Sequence, residues 1–355
     1  MPKIRVLVVD DAVVMRRMIT EALSLDPDIE VAGVAANGKI ALAKVPQVNP
    51  DILTMDVEMP EMDGVAAVRE LRKTHPRLPV IMFSTLTMRG AETTLDAFSA
   101  GANDYVTKPA NVGNVTEGIQ RLREELIPKI KAHCRGPVTR APVLSARGRA
   151  LPRKSPATLE AIAIGSSTGG PNALADLFAT LPADLNVPIF VVQHMPPLFT
   201  QMLAERLAKK SAWKFRESTG DETAEPGCVY IAPGGKHLEV YREGTRVRTR
   251  LHLGPEENSC RPAVDVLFQS AANTYGAHCL GVILTGMGQD GLRGCRHLSE
   301  NSAEIIVQDE SSSVVWGMPG AVAQADLADR IVPIGEMARE ITEAFRRRGK
   351  IILSK

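Results

Sequence analysis

At 355 residues, with 44% hydrophobic and 23% charged residues and a net charge of +1, the chain has an ordinary globular composition and the length of two domains. No apolar run approaches the roughly 20 residues of a membrane span, and the early acids of "MPKIRVLVVDD" do not suit a signal peptide. Five scattered cysteines (Cys134, Cys228, Cys260, Cys279, Cys295), none in C-x-x-C spacing, suggest neither a disulfide framework nor a zinc site, so a cytoplasmic protein with reduced thiols is expected.

Over residues 1–125 short apolar runs alternate with helical patterns: "IRVLVVD", 13–25, "IEVAGVA", 38–47, "DILTMD", 64–74, "PVIMFS", 91–100, "DYVTKP" and 113–127. Five such units predict a parallel, doubly wound sheet. Residues 126–157 hold eight Lys/Arg, five prolines and no acid, against net charges of −4 before and −3 after them. They read as a basic linker; a nucleic-acid arm is the sharper alternative, disfavoured because no aromatic residue offers a stacking surface. The pattern restarts at 160 with "EAIAIG", a helix from about 171, "PIFVVQ" and a helix from about 198. The stretch 228–252 alternates around glycine turns and predicts an antiparallel hairpin. Helix 262–274, strand 280–285, helix 289–300, strand "EIIVQD" and helix 335–347 then return to α/β order, closing a second domain at 158–350.

In parallel α/β sheets ligands gather at the carboxyl ends of strands. Asp10 and Asp11 follow the first strand and Asp56 ends the third; converging acids of this kind suit a hard divalent cation such as Mg²⁺. Ser84 ends the fourth strand and Lys108 the fifth, which supplies the hydroxyl and the cation that a phosphoryl-accepting carboxylate needs. These residues and "DVEMPEMDG" make residues 1–125 resemble a response-regulator receiver domain of flavodoxin-like, five-stranded fold. The resemblance implies phosphorylation of Asp56, Mg²⁺ on Asp10, Asp11, Asp56 and the backbone of Glu58, and sensing of the phosphoryl group by Ser84, Lys108 and Tyr105.

In the second domain Gly165-Ser166-Ser167-Thr168-Gly169 is a G-x-S-x-G string between a strand and a helix, a context that exposes a nucleophilic serine and that could also cradle a phosphate. His194 is the one histidine ending a clear buried strand, and Asp221, Asp265, Asp290 and Asp309 are candidates to orient it, Asp290 having the best address after "LGVILTG". Gly286-Met287-Gly288-Gln289-Asp290-Gly291 also spells G-x-G-x-x-G. A dinucleotide cradle there is disfavoured: it comes late in the chain, and it would set Asp290 against a pyrophosphate.

The strings "IAIGSSTGGPNAL", "VVQHMPPLFT", "YIAPGGKHLEV", "RPAVDVLFQSAA", "LTGMGQDGL" and "VQDESSSVVWGMPGAV" make residues 158–350 resemble the catalytic domain of chemotaxis protein-glutamate methylesterases, the CheB family. The resemblance implies Ser167 as nucleophile, His194 as base, Asp290 as third member and the backbone of Met287 as an oxyanion donor. Ser166 stands where the family commonly has a small apolar residue. Also implied are demethylation and deamidation of receptor glutamyl and glutaminyl side chains, no cofactor for that reaction, and an unphosphorylated receiver that inhibits it. The implied partners are methyl-accepting chemoreceptors and a chemotaxis histidine kinase, with no nucleic acid, no membrane insertion and a monomeric chain.

Overall fold

A computed structural model describes residues 2–109, 115–134 and 158–349, which fall into two compact units. In the first, five parallel strands, β1 (Ile4–Val9), β2 (Ile29–Ala35), β3 (Ile52–Asp56), β4 (Val80–Ser84) and β5 (Asp104–Thr107), stand in the order β2-β1-β3-β4-β5. The helices between and after them are α1 (Val13–Ser24), α2 (Gly38–Val48), α3 (Gly64–Thr74), α4 (Met88–Ala100) and α5 (Val115–Cys134). Every residue of β3 and β4 is buried, as continuous apolar strands flanked by helices require. Side chains cap the helix starts: Asn37, Asp63 and Thr87 accept from the amides of Ile40, Ala66 and Gly90.

The fifth helix runs to Cys134, beyond its expected end at 127. Pro128 lies inside it, yet Leu122, Leu126 and Ile130 continue one apolar stripe into the core, and that burial outweighs the proline. His133, assigned from sequence to the linker, therefore sits on this helix, 3.6 Å from Asp104. The rest of the expected linker, 135–157, lies outside the described residues.

The second unit carries a seven-stranded sheet of order β14-β13-β12-β6-β7-β9-β8 in which every pairing is parallel. Its first half comprises β6 (Ala161–Ser166), α6 (Gly170–Thr180), β7 (Ile189–Gln193), α7 (Phe199–Lys210), β8 (Lys214–Glu217) and β9 (Cys228–Ile231). An antiparallel pair follows, β10 (His237–Glu243) with β11 (Arg246–His252). The second half comprises α8 (Val264–Tyr275), β12 (Cys279–Ile283), α9 (Leu292–Glu300), β13 (Glu304–Gln308), α10 (Met318–Gln324), β14 (Arg330–Val332) and α11 (Ile334–Gly349).

The expected hairpin is present, but it covers only 237–252. The run from Cys228 is fully buried and joins the main sheet beside β7, whereas β10 and β11 keep a half-exposed alternation. Three short elements, β8, α10 and β14, escape the sequence pattern because four, seven and three residues show too little periodicity.

Strand order reverses at β6, whose neighbours are β7 and β12. The carboxyl ends of these three strands form the switch-point crevice where ligands of open α/β sheets bind. In the first unit the corresponding point lies between β1 and β3.

Candidate active site and phosphoacceptor site

At the first switch point Asp10 and Asp56 are buried and Asp11 is exposed, and one carboxylate oxygen of each lies within 4.8 Å of the others. Lys108 Nζ sits 2.6 Å from Asp56 Oδ2 and 3.0 Å from Asp10 Oδ2. The Asp10 contact is close in distance, but its direction leaves that oxygen without a hydrogen-bond donor. Burial pushes Asp56 up to about 6 and raises Asp10 as well, only partly offset by Lys108. Burial opposes the charge on Lys108, but the bond to Asp56 and the nearby Asp10 outweigh it and raise the ammonium.

Two desolvated carboxylates with an unsatisfied oxygen and only oxygen donors form a set that suits a hard divalent cation. Ser84, also buried, donates its hydroxyl to the Gly90 carbonyl at 3.0 Å. Tyr105 is turned inward against Phe98, with Lys129 Nζ 5.0 Å from its ring centroid. The Glu58 amide stands 3.4 Å from Asp56 Oδ1.

At the second switch point the strand register does the positioning. Ser166 pairs with Gln193 across β6 and β7, so Ser167 and His194 are the next residue on neighbouring strands, and the His194 amide donates to the Ser166 carbonyl at 3.2 Å. Ser166 is fully buried, with its hydroxyl on Gln193 Oε1 at 2.7 Å; Ser167 is partly exposed. Gln193 also donates to the Ser167 carbonyl at 2.9 Å and so fixes the turn. A Cβ on Gly170 would lie 1.9 Å from Gln193 Oε1, which explains the glycine there.

Asp290, buried behind His194, accepts five donors: His194 Nε2 at 2.8 Å, Val264 N at 2.7 Å, Asn258 Nδ2 at 3.0 Å, Gly291 N at 3.0 Å and Asp265 N at 3.1 Å. Burial opposes its charge, but these bonds, His194 first, hold the carboxyl below its ordinary value. Burial also pulls His194 down; the bond to Asp290 and then the contact with Cys260 outweigh it and carry the imidazole up to about 9.

With Nε2–H committed to Asp290, Nδ1 is the nitrogen left to accept a proton, and in this structure it faces Cys260 Sγ at 3.6 Å. No hydrogen bond joins Ser167 to His194 among the described residues; contacts of this kind often close only when substrate binds.

Of the other acids weighed for this role, Asp221 pairs with Arg248 and Asp309 accepts from Ser311 and Ser312, both away from His194. Asp265 lies next to Asp290 but does not touch the imidazole.

The glycine string around Asp290 is not a free phosphate cradle. Its Gly291 amide is taken by Asp290 and the Gly294 amide by Asp265 Oδ1 at 2.7 Å, so two carboxylates already occupy the start of α9. A Cβ on Gly286 would stand 2.9 Å from Ser167 Cβ, so the bare glycine lets this turn close on the serine turn. The amides of Thr168 and Met287 donate to no protein acceptor among the described residues. Sequence reasoning missed Thr168, although the residue after the nucleophile of G-x-S-x-G is a usual oxyanion donor.

A receiver-type phosphoacceptor sheet in one unit, and in the other a serine turn beside a histidine–carboxylate pair, define a response regulator with a hydrolase output domain. The receiver-domain model matches residues 6–120 and the CheB methylesterase model residues 162–341. The chain is 50% identical over 347 residues to a protein-glutamate methylesterase/protein-glutamine glutaminase of Trichodesmium erythraeum, covering 96% of this chain and 99% of that one. It is 51% identical over 356 residues to one from Nocardioides sp., covering 98% and 97%. The crystal structure of the Thermotoga maritima CheB methylesterase catalytic domain superposes with a TM-score of 0.52 at 38% identity, covering 53% of this chain and 99% of that one. The chain belongs to the CheB methylesterase family: it is a response regulator joined to a protein-glutamate methylesterase/protein-glutamine glutaminase domain. No helix among the described residues is long and apolar enough to cross a membrane.

Proposed function

We propose that this chain removes methyl groups from glutamate γ-methyl esters of chemoreceptors and deamidates receptor glutamines, with Ser167 as nucleophile, His194 as base and Asp290 as its anionic partner. One observation carries the reading: an imidazole bonded at 2.8 Å to a carboxylate with five donors, on the strand beside the one that leads into Ser167. His194 Nδ1 takes the proton from Ser167 Oγ as that oxygen attacks the ester carbonyl. The oxyanion meets the amides of Met287 and Thr168, and methanol leaves with the proton returned by His194. Water, deprotonated by the same nitrogen, attacks the acyl-enzyme and frees the glutamate; with a glutamine substrate ammonia is the leaving group.

In the receiver, Asp56 accepts the phosphoryl group from a chemotaxis histidine kinase, with Lys108 and Ser84 at hand to bind its oxygens and Tyr105 to respond. Asp10, Asp11, Asp56 and the backbone of Glu58 would hold Mg²⁺, which supplies charge neutralisation to the incoming phosphoryl group. The unphosphorylated receiver inhibits the esterase, and phosphorylation shifts that balance. The chain works as a cytoplasmic monomer.

Methanol release from methylated receptor membranes tests the reading. Wild type releases methanol, and Ser167→Ala loses it by about 10³-fold or more. An active Ser167→Ala chain would refute the assignment.

A further inference from the structure

Two buried carboxylates stand side by side behind His194, and the proposed reaction uses only one. Asp265, as buried as Asp290, accepts Gly294 N, Arg293 Nε at 3.1 Å and Asn258 Nδ2 at 2.9 Å, but makes no bond to the imidazole. The same Asn258 amide nitrogen donates to Asp290 Oδ1 at 3.0 Å. One carboxamide thus supplies a donor to each of two acids that otherwise repel.

The loop bringing it there is held in an unfavourable shape, with Asn258 and Ser259 at φ 52° and 59°. The next residue, Cys260, touches the other edge of the ring at Nδ1. Residues 258–260 therefore grip both members of the His194–Asp290 pair.

We propose that Asn258 is a positioning residue for the reaction, which holds Asp290 ionised and aimed at His194 by bridging it to the second carboxylate, Asp265. The inference rests on the triad reading above. Charged and titratable groups facing this cluster are His194 and Cys260 on one side, His237 and Arg261 on another, the buried Cys295 of α9, which feels both carboxylates, and Arg293 with Glu257 beyond Asp265.

Removing the amide leaves the pair of acids in conflict, so Asp290 takes up a proton more readily and His194 loses anionic support. The test uses the full-length chain with Mg²⁺ and a small phosphodonor, following methanol release from methylated receptors between about pH 6 and 10. Asn258→Ala and the nearly isosteric Asn258→Asp, which replaces a donor by an acceptor, both lower kcat about ten- to a hundredfold, as loss of a hydrogen bond to a charged group would. KM stays within about twofold. In Asn258→Ala the acid limb of kcat/KM moves to lower pH, and adding Asp265→Asn recovers part of the loss because the repelling charge is gone.

Asn258→Asp with wild-type kcat and an unmoved pH limb would mean that the amide only fills space, and would overturn the proposal. Failure of the single variants to fold, with the Asn258→Ala/Asp265→Asn chain folded, is the charge conflict expected; failure of the double variant as well overturns it. A parallel Ser167→Ala chain separates the two levels. If it stays active the triad reading falls; if it is inactive while Asn258→Asp behaves as wild type, only the present inference falls.

Discussion

Asp290→Asn is the most informative single change, because the structure fixes what the new amide can do. Both carboxylate oxygens of Asp290 receive donors: Oδ2 from His194 Nε2 and Val264 N, Oδ1 from Asn258 Nδ2, Asp265 N and Gly291 N. Whichever way the carboxamide turns, its NH₂ meets at least two donors and no acceptor. The arrangement that keeps Oδ1 satisfied points NH₂ at His194 and forces the other tautomer, with the proton on Nδ1, the nitrogen needed as base.

A wrong tautomer of this kind costs about 10⁴ in kcat in serine hydrolases. The same bond is a stability term. Burial pulls His194 down, but Asp290 first and then Cys260 carry it from 6.5 to about 9, a net shift that corresponds to roughly 3 kcal/mol for these contacts together after the burial penalty. A folded-state value above the unfolded one means that this stabilisation is complete below pH 6.5 and is lost as pH rises through about 9.

Thermal melts at pH 6 should therefore place Asp290→Asn about 6–12 °C below wild type, with the gap narrowing toward pH 10. Methanol release supplies the kinetic half of the assay. A variant within about threefold of wild type in kcat, or a melting gap independent of pH, would refute the reasoning.

Two further outcomes follow from the same geometry. Because the base must be neutral, kcat/KM of wild type should rise with pH toward about 9, and Cys260→Ala, which removes one of the contacts that raise His194, should move that limb to lower pH without abolishing methanol release; a limb that stays put would dismiss the thiol contact. For the receiver, chelation of divalent cations should stop phosphorylation of Asp56 by a small phosphodonor and with it the activation of the full chain, while residues 152–355 alone stay active and indifferent to the chelator; a truncated chain no faster than the unphosphorylated whole would end the autoinhibition reading.

The positions of most strands and most helix boundaries were legible in the sequence because buried parallel strands write themselves as short apolar runs, as in "ILTMD" and "IFVVQ". Ser167, His194 and Asp290 were legible for a related reason: each follows such a run, and strand ends of one parallel sheet share an edge. The loop 257–262 was not. It has no periodicity, its two left-handed residues are not glycines, and the partners of Asn258 lie 7 and 32 positions away. Gln193 was hidden differently, as one polar residue closing an apolar strand, where only the fold reveals that it ties both serines. The run from Cys228 misled because periodicity reports burial on both faces but not which strand is the neighbour.

The two units put carboxylates at the same topological address and treat them in opposite ways. Asp56 is buried beside Asp10 with one lysine between them and few amide donors, so its charge is poorly supported, and its value of about 6 expresses that. Such a group gains most from a cation and is chemically available when one arrives. Asp290 is as buried, yet five hydrogen bonds leave it no unmet need, and its value lies below the ordinary carboxylate. It needs no metal to balance its charge, and in the proposed mechanism it stays an anion through the catalytic cycle. Strand topology therefore selects where an acid goes, and the count of donors around it selects whether it is a reactant or a fixed charge.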